Sequence, residues 1–169
     1  ERGETEKQER AQFTNTVLAD YVIIDPPVEK QITGATPSTA SVFTFYMKAD
    51  NAANPMPEGT VNGIKTVTIT GAGTAEFGNI TYTKVGTYTY TVYERNAGAS
   101  GYSYDTNVYK MSVVVTETNG KLSATRTITD ADGITQSGLI FKNRYTVSDG
   151  PKTGDDSINA VWWAIFTIG

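Results

Sequence analysis

Three polar residues stand where the alternation of the chain calls for apolar ones. Lys30 shares its parity with Val28 and Ile32, Glu94 with Tyr88, Tyr90 and Val92, and Asn143 with Phe141 and Tyr145. If each run is a strand, each polar side chain points the same way as its apolar neighbours. Ends of strands flare, so one reading lets all three reach solvent. Lys and Glu are rarely buried, however, and burial without a partner is costly. The other reading uses all three together. A Lys amine and an Asn carboxamide can condense to an amide and release ammonia. In water the amine is protonated and the amide is a poor electrophile. Burial lowers a Lys pKa and raises a Glu pKa, so the nucleophile becomes neutral and the acid keeps its proton. A protonated Glu94 is then expected to donate to the Asn143 carbonyl oxygen and to shuttle a proton from the amine to the leaving ammonia. Strands that hold the partners in contact supply a large effective concentration. Such a reaction runs once per chain, which makes this no turnover enzyme.

Composition removes most competing chemistry. The 169 residues contain no cysteine and no histidine. Disulfides, thiol nucleophiles, imidazole-ligated metals and a Ser-His-Asp triad are therefore excluded. The formal net charge of −4 argues against a nucleic-acid partner, which would need a basic stripe. No cofactor and no metal site is expected. Asp130-Ala131-Asp132-Gly133 faintly resembles a calcium loop but lacks the later ligands and the bidentate Glu. A hairpin turn accounts for it better.

The elements that must position the trio are strands. Threonine occurs 27 times and tyrosine 10 times, and charged residues make up only 19%, a balance that favours strands over helices. Period-two alternation runs through Val28–Thr33, Phe43–Lys48, Thr66–Thr70, Ile80–Tyr82, Thr87–Val92, Tyr109–Val115, Leu122–Ile128 and Leu139–Tyr145. These are eight or so half-buried strands. Asn119-Gly120 signals a type I′ hairpin turn, and Asn62-Gly63 and Asp132-Gly133 mark further turns. The pattern predicts an all-β fold, an antiparallel Ig-like β-sandwich with its first and last strands joined by the crosslink.

The domain is expected to span residues 20–147. Residues 1–19 read as a linker or the end of a preceding repeat, because Phe13-Thr14-Asn15-Thr16-Val17 echoes Phe141-Lys142-Asn143-Arg144-Tyr145. With glutamate first and no initiator methionine, the chain is expected to be a fragment or a processed product. Residues 148–169 form a polar stretch and then an apolar run, Ile158–Ile168, too short for the roughly 20 residues of a membrane span. Pro151-Lys152-Thr153-Gly154 ahead of that run resembles the sorting signal of Gram-positive surface proteins, which a sortase cuts between Thr and Gly. Here Gly150 stands where that family prefers leucine, the apolar segment is short, and a basic stop is missing.

Five segments together resemble the streptococcal pilin isopeptide-linkage domain. They are Pro26-Pro27-Val28-Glu29-Lys30, Phe43-Thr44-Phe45, Gly86 through Glu94, Gly101-Tyr102-Ser103-Tyr104-Asp105, and Phe141 through Tyr145. The resemblance covers about Asp25 to Val147. It implies that Lys30 of the first strand bonds to Asn143 of the last, beside Glu94 of a central strand. It also implies a structural stalk or shaft domain of a pilin or surface adhesin, extracellular and cell-wall anchored. The implied partners are sortase, peptidoglycan and neighbouring pilin subunits. Lys48, Lys65, Lys84, Lys110 and Lys121 are all open as acceptors of a neighbour's sortase-borne Thr. A second reading is an adhesive Ig-like module for a host protein or glycan, with Tyr82, Tyr88, Tyr90, Tyr93, Tyr102 and Tyr104 as an exposed aromatic face. Its loops, Ala49–Gly59 and Asn96–Ser100, are small and polar and favour a spacer.

Overall fold

A computed structural model describes residues 20–147, and every regular element among them is a strand. The strands are β1 (Val22–Ile24), β2 (Pro27–Gly34), β3 (Val42–Ala49), β4 (Ile64–Thr70), β5 (Gly73–Glu76), β6 (Ile80–Tyr82), β7 (Gly86–Glu94), β8 (Tyr102–Ser103), β9 (Val108–Thr118), β10 (Lys121–Thr129), β11 (Thr135–Gln136) and β12 (Leu139–Tyr145). The eight alternating segments of the sequence are all present. The four that alternation missed, β1, β5, β8 and β11, have two to four residues each. So short a run seldom shows period two above noise; β6, of three residues, did so through its buried Ile80 and Tyr82.

The strands form a six-stranded sheet, ordered β11-β10-β9-β7-β3-β4, and a four-stranded sheet, ordered β5-β2-β12-β8. A small ribbon pairs β1 with β6. Two aromatic contacts show how the larger sheets face one another. The Phe45 ring of β3 lies 5.2 Å from that of Phe141 on β12, and the Tyr109 ring of β9 lies 5.0 Å from Phe141. The inward residues of β3 (Phe43, Phe45, Met47), β7 (Tyr90, Val92), β9 (Met111, Val113, Val115) and β12 (Leu139, Phe141) are buried together in one core. This is a sandwich, with apolar residues inward and, on strands such as β4 and β7, threonines at alternate outward positions.

One pairing departs from the antiparallel expectation. All other ladders are antiparallel, but β2 and β12 run parallel, in register from Leu139↔Val28 to Tyr145↔Gly34. Neighbouring parallel strands need a long crossover, and here nearly the whole sandwich supplies it. A second correction concerns order. Lys30 sits on the second of the described strands, because β1 precedes it and pairs outside the main sheets.

The Asn119-Gly120 turn joins β9 to β10 with both residues at positive φ, 52° and 74°. Asn62 and Gly63 likewise take φ of 51° and 76°. In the predicted turn at Asp132-Gly133, the Asp130 carboxylate accepts from the amides of Asp132 and Ile134 and from Gln136 Nε2. It is committed to holding that loop.

A buried hydroxyl chain ties the long β3–β4 connection to the core. Tyr82 Oη donates to Tyr90 Oη at 3.1 Å, and Tyr90 donates to the Pro55 carbonyl at 2.8 Å. Burial pushes both phenols above their ordinary pKa. Tyr90→Phe strands a buried donor and a carbonyl acceptor, so it should cost about 1–3 kcal/mol. Tyr82→Phe leaves the Tyr90–Pro55 bond intact and should cost less. Denaturant unfolding of both variants checks the order.

Candidate functional site

The three sequence-predicted residues meet in the core. Lys30, Glu94 and Asn143 are the buried polar or charged residues among those described, at 1%, 8% and 0% exposure. Flared strand ends are therefore not the explanation of their parity. The fold assembles them from both sheets. Lys30 and Asn143 lie on the adjacent parallel strands β2 and β12, with Phe141 opposite Lys30 and Ile32 opposite Asn143. They are thus offset by two positions on one face, the diagonal spacing within reach of a long side chain. Glu94 ends β7 on the facing sheet, opposite Phe45 of β3.

Glu94 bridges the other two. Lys30 Nζ donates to Glu94 Oε2 at 2.7 Å, and Asn143 Nδ2 donates to Glu94 Oε1 at 2.9 Å. Each carboxylate oxygen serves one nitrogen. Aromatic rings close the pocket over the amine, with Nζ 4.7 Å from the Phe43 ring centre and 5.9 Å from that of Phe45. Desolvation pulls the Lys30 amine below its ordinary pKa, against the opposing pull of Glu94. Desolvation also pushes the Glu94 carboxyl up, against the pull of Lys30, and the Asp105 charge adds to the rise. Both shifts favour a neutral amine beside a neutral acid.

The carbonyl of Asn143 is placed differently from expectation. Glu94 was expected to donate to it, but Glu94 faces the amide nitrogen. Asn143 Oδ1 instead accepts from the backbone N–H of Asp105 at 2.7 Å. A main-chain N–H can only donate, so it fixes which end of the carboxamide is which. The Asp105 carboxylate is itself engaged, accepting from Lys142 N at 2.6 Å and Asn107 N at 2.8 Å. Asp105 closes the Gly101–Asp105 segment, yet no role for it was apparent in the sequence. Its contact with Asn143 runs through the main chain, which side-chain identity does not encode. The segment is anchored at Gly101, whose carbonyl accepts from Thr146 N at 2.8 Å. A Cβ at Gly101 would come within 2.6 Å of the Tyr145 ring, at a φ of 80°.

The tyrosines do not make an exposed face. Tyr82 and Tyr90 are fully buried, and Tyr88, Tyr102 and Tyr104 pack against the core. Tyr93 is half-buried and stacks on Tyr46, with ring centres 5.4 Å apart. Pro151, Lys152, Thr153 and Gly154 lie outside the described residues, as does Phe13–Val17.

Sequence and structure comparisons agree with this geometry. A family model described as "FctA: Spy0128-like isopeptide containing domain" matches residues 26–146. The chain belongs to that family. No curated protein matches the sequence. Among solved structures, an Asn-to-Ala mutant of the major pilin from Streptococcus pyogenes aligns with a TM-score of 0.53 at 25% identity, over 72% of this chain and 50% of that one. The T-13 major pilin of the same species aligns with a TM-score of 0.53 at 20% identity, over 75% and 54%. A Glu-to-Ala mutant of the major pilin gives a TM-score of 0.50 at 21% identity, over 72% and 50%. The chain thus spans about half the length of the solved pilins it matches.

One buried polar atom near the site has no partner among the described residues, the Tyr102 hydroxyl. The Tyr102 ring packs edge-on against Phe43, 5.3 Å between centres. An unpaired buried hydroxyl costs about 1–3 kcal/mol. Tyr102→Phe should therefore match or exceed the parent in stability by thermal unfolding. A clear loss would mean that the hydroxyl has a partner.

Proposed function

We propose that this chain is a shaft domain of a Gram-positive, cell-wall-anchored pilin or surface adhesin, locked by an amide bond between Lys30 and Asn143. The observation that carries the reading is the Glu94 carboxylate bridging the amine and the carboxamide nitrogen in a buried site. Membership of an isopeptide-containing family and the fold of the major pilins support it. The reaction starts when the Lys30 ammonium passes a proton to Glu94, giving a neutral amine beside a neutral acid. Nζ then attacks Cγ of Asn143. Glu94 takes a proton from the attacking nitrogen on one oxygen and gives one to the departing Nδ2 from the other. The Cγ–Nδ2 bond breaks, the Nζ–Cγ bond remains, and ammonia leaves. Glu94 ends as it began the attack, protonated, so one carboxyl serves as both base and acid.

The bond closes a loop of 143 − 30 = 113 residues. By the chain-entropy relation a disulfide over such a loop stabilises by about 4–5 kcal/mol, and an amide has no redox weakness. A chain with no cysteine gains a covalent staple by this route. The extracellular location, the sortase cut between Thr153 and Gly154, and attachment to peptidoglycan or a neighbouring subunit belong to the same reading. They rest on the family and on the motif.

Intact mass tests the bond. The full chain should weigh one ammonia less than its sequence mass, and the Glu94→Ala chain should carry its full mass. A folded parent at full mass would falsify the crosslink. Tandem digestion should recover the Lys30 and Asn143 peptides joined.

The rate should depend on pH in a particular way. The ion pair and the neutral pair hold the same number of protons, so passing between them takes none from solution. The rate of ammonia loss in newly made chain should be flat across neutral pH. It falls in acid when the pair gains a second proton and in alkali when it loses its last. Burial raises Glu94 above its ordinary 4.5 and lowers Lys30 below its ordinary 10.5, so both limits lie inside that range. Mass time courses at a series of pH values check this. A rate that climbs steadily through pH 7 to 9 would show instead that Lys30 must first lose its proton to solvent.

A further inference from the structure

The geometry points to the backbone N–H of Asp105 as the group that stabilises the oxyanion of the crosslinking reaction, with the Asp105 side chain as the brace that aims it. This rests on the crosslinking reading above and assigns within it a role that Glu94 cannot fill. Both Glu94 oxygens are engaged with nitrogens, one on Lys30 and one on the amide of Asn143. When Nζ attacks Cγ, the C=O double bond opens and its electron pair moves to Oδ1. That charge develops in a buried site, because Asn143 has no exposure and Lys30 almost none. Among the described residues, the donor on Oδ1 is the Asp105 amide, at 2.7 Å.

A donor already aimed at the oxygen where charge will develop needs no reorganisation during the reaction, and a low dielectric magnifies its effect. The bond tightens as Oδ1 gains charge and relaxes when the carbonyl re-forms with loss of ammonia. It therefore favours the transition state over the ground state.

The brace is also on hand. Strand β8 ends at Ser103, whose partner on β12 is Arg144. Two positions further along, β12 has no strand on that edge, and the Asp105 carboxylate takes the Lys142 N–H instead. Lys142 is the residue before Asn143, so the same residue grips the main chain of β12 with its side chain and the Asn143 carboxamide with its N–H. The other carboxylate oxygen turns back to Asn107 N and fixes the loop. The two amides spread the carboxylate charge, which would otherwise oppose an oxyanion nearby. The remaining charge also adds to the upward push on the Glu94 pKa that burial begins, which favours the neutral acid the reaction uses.

The test removes one hydrogen. In the full chain, made by cell-free translation, Asp105 is replaced by its α-hydroxy analogue, which swaps the amide N–H for an ester oxygen and keeps the side chain. The same exchange at Thr106 is the control, since it alters the backbone equally without touching Asn143. Loss of ammonia is followed by intact mass. The ester at 105 should slow the reaction about 100-fold or more, the effect of losing one oxyanion donor, and the ester at 106 should change it by less than about threefold. Equal rates for the parent and the 105 ester, or equal slowing by both esters, overturn the inference. Failure of the parent itself to lose ammonia would instead overturn the crosslink. A second measurement does not depend on the ester folding. In the unreactive Lys30→Met chain, the Asp105 amide proton should resonate downfield and resist solvent exchange, and adding Asn143→Ala should move it upfield and expose it. An Asp105 amide indifferent to Asn143 overturns the assignment.

Discussion

The organising constraint of this domain is the burial of one amine and one carboxyl against each other with almost no water. Taking both charges out of solvent costs several kcal/mol per ion, and their attraction recovers it only with good geometry. Much of the surrounding sequence can be understood as meeting that condition. Phe43 and Phe45 on β3 close over the Lys30 amine. Phe141 on β12 packs against Phe45 and Tyr109 and holds the strand that carries Asn143. On the proposed reaction, the cost of burial is also a driving force. The reactants include a pair that is either charged in a dry site or held away from its ordinary protonation. The product is a neutral amide beside a neutral acid, both content in a low dielectric. The same burial that makes the unreacted core uneasy makes the crosslinked core stable.

How much of this was legible in the sequence depends on what kind of group carries each part. Side-chain parity together with residue type singled out Lys30, Glu94 and Asn143: alternation fixes which face a residue takes, and a Lys, a Glu and an Asn on core faces are costly unless they meet. Alternation was also enough for eight of the strands, and residue type for the turns at Asn62-Gly63 and Asn119-Gly120, where positive φ demands particular residues. Alternation says nothing about strand direction, so the parallel pairing of β2 with β12 could not be read from it. Nor does it reach β5 and β8, short strands without an apolar pair at alternate positions. The Asp105 amide was out of reach for a deeper reason. Every residue but proline has an N–H, and what distinguishes this one is where the loop after β8 puts it. The place of Glu94 between the other two was legible, but not which atom of Asn143 it faces. Glu94 faces the amide nitrogen, whereas the oxygen it was expected to polarise is held by another donor.

The parallel pairing also decides what the crosslink would do mechanically. In a stalk, tension enters at the start of β2 and leaves at the end of β12. These are opposite ends of two adjacent strands that run the same way, so the load shears the pair along its length. Shear strains all the ladder bonds between Val28 and Gly34 together, where an antiparallel hairpin pulled at its open ends would unzip them one at a time. A covalent bond from Lys30 to Asn143 lies inside the sheared pair, which makes the load path covalent across it. Everything from residue 31 to 142 is then shielded from extension, and the core cannot be drawn out by its ends. The same bond across β9 and β10 would close a short hairpin loop and leave the loaded strands as they were. The topology would set the proposed bond between the two strands that a stalk loads. That pairing of strands brings the amine and the carboxamide to one face, and the facing sheet supplies the acid between them.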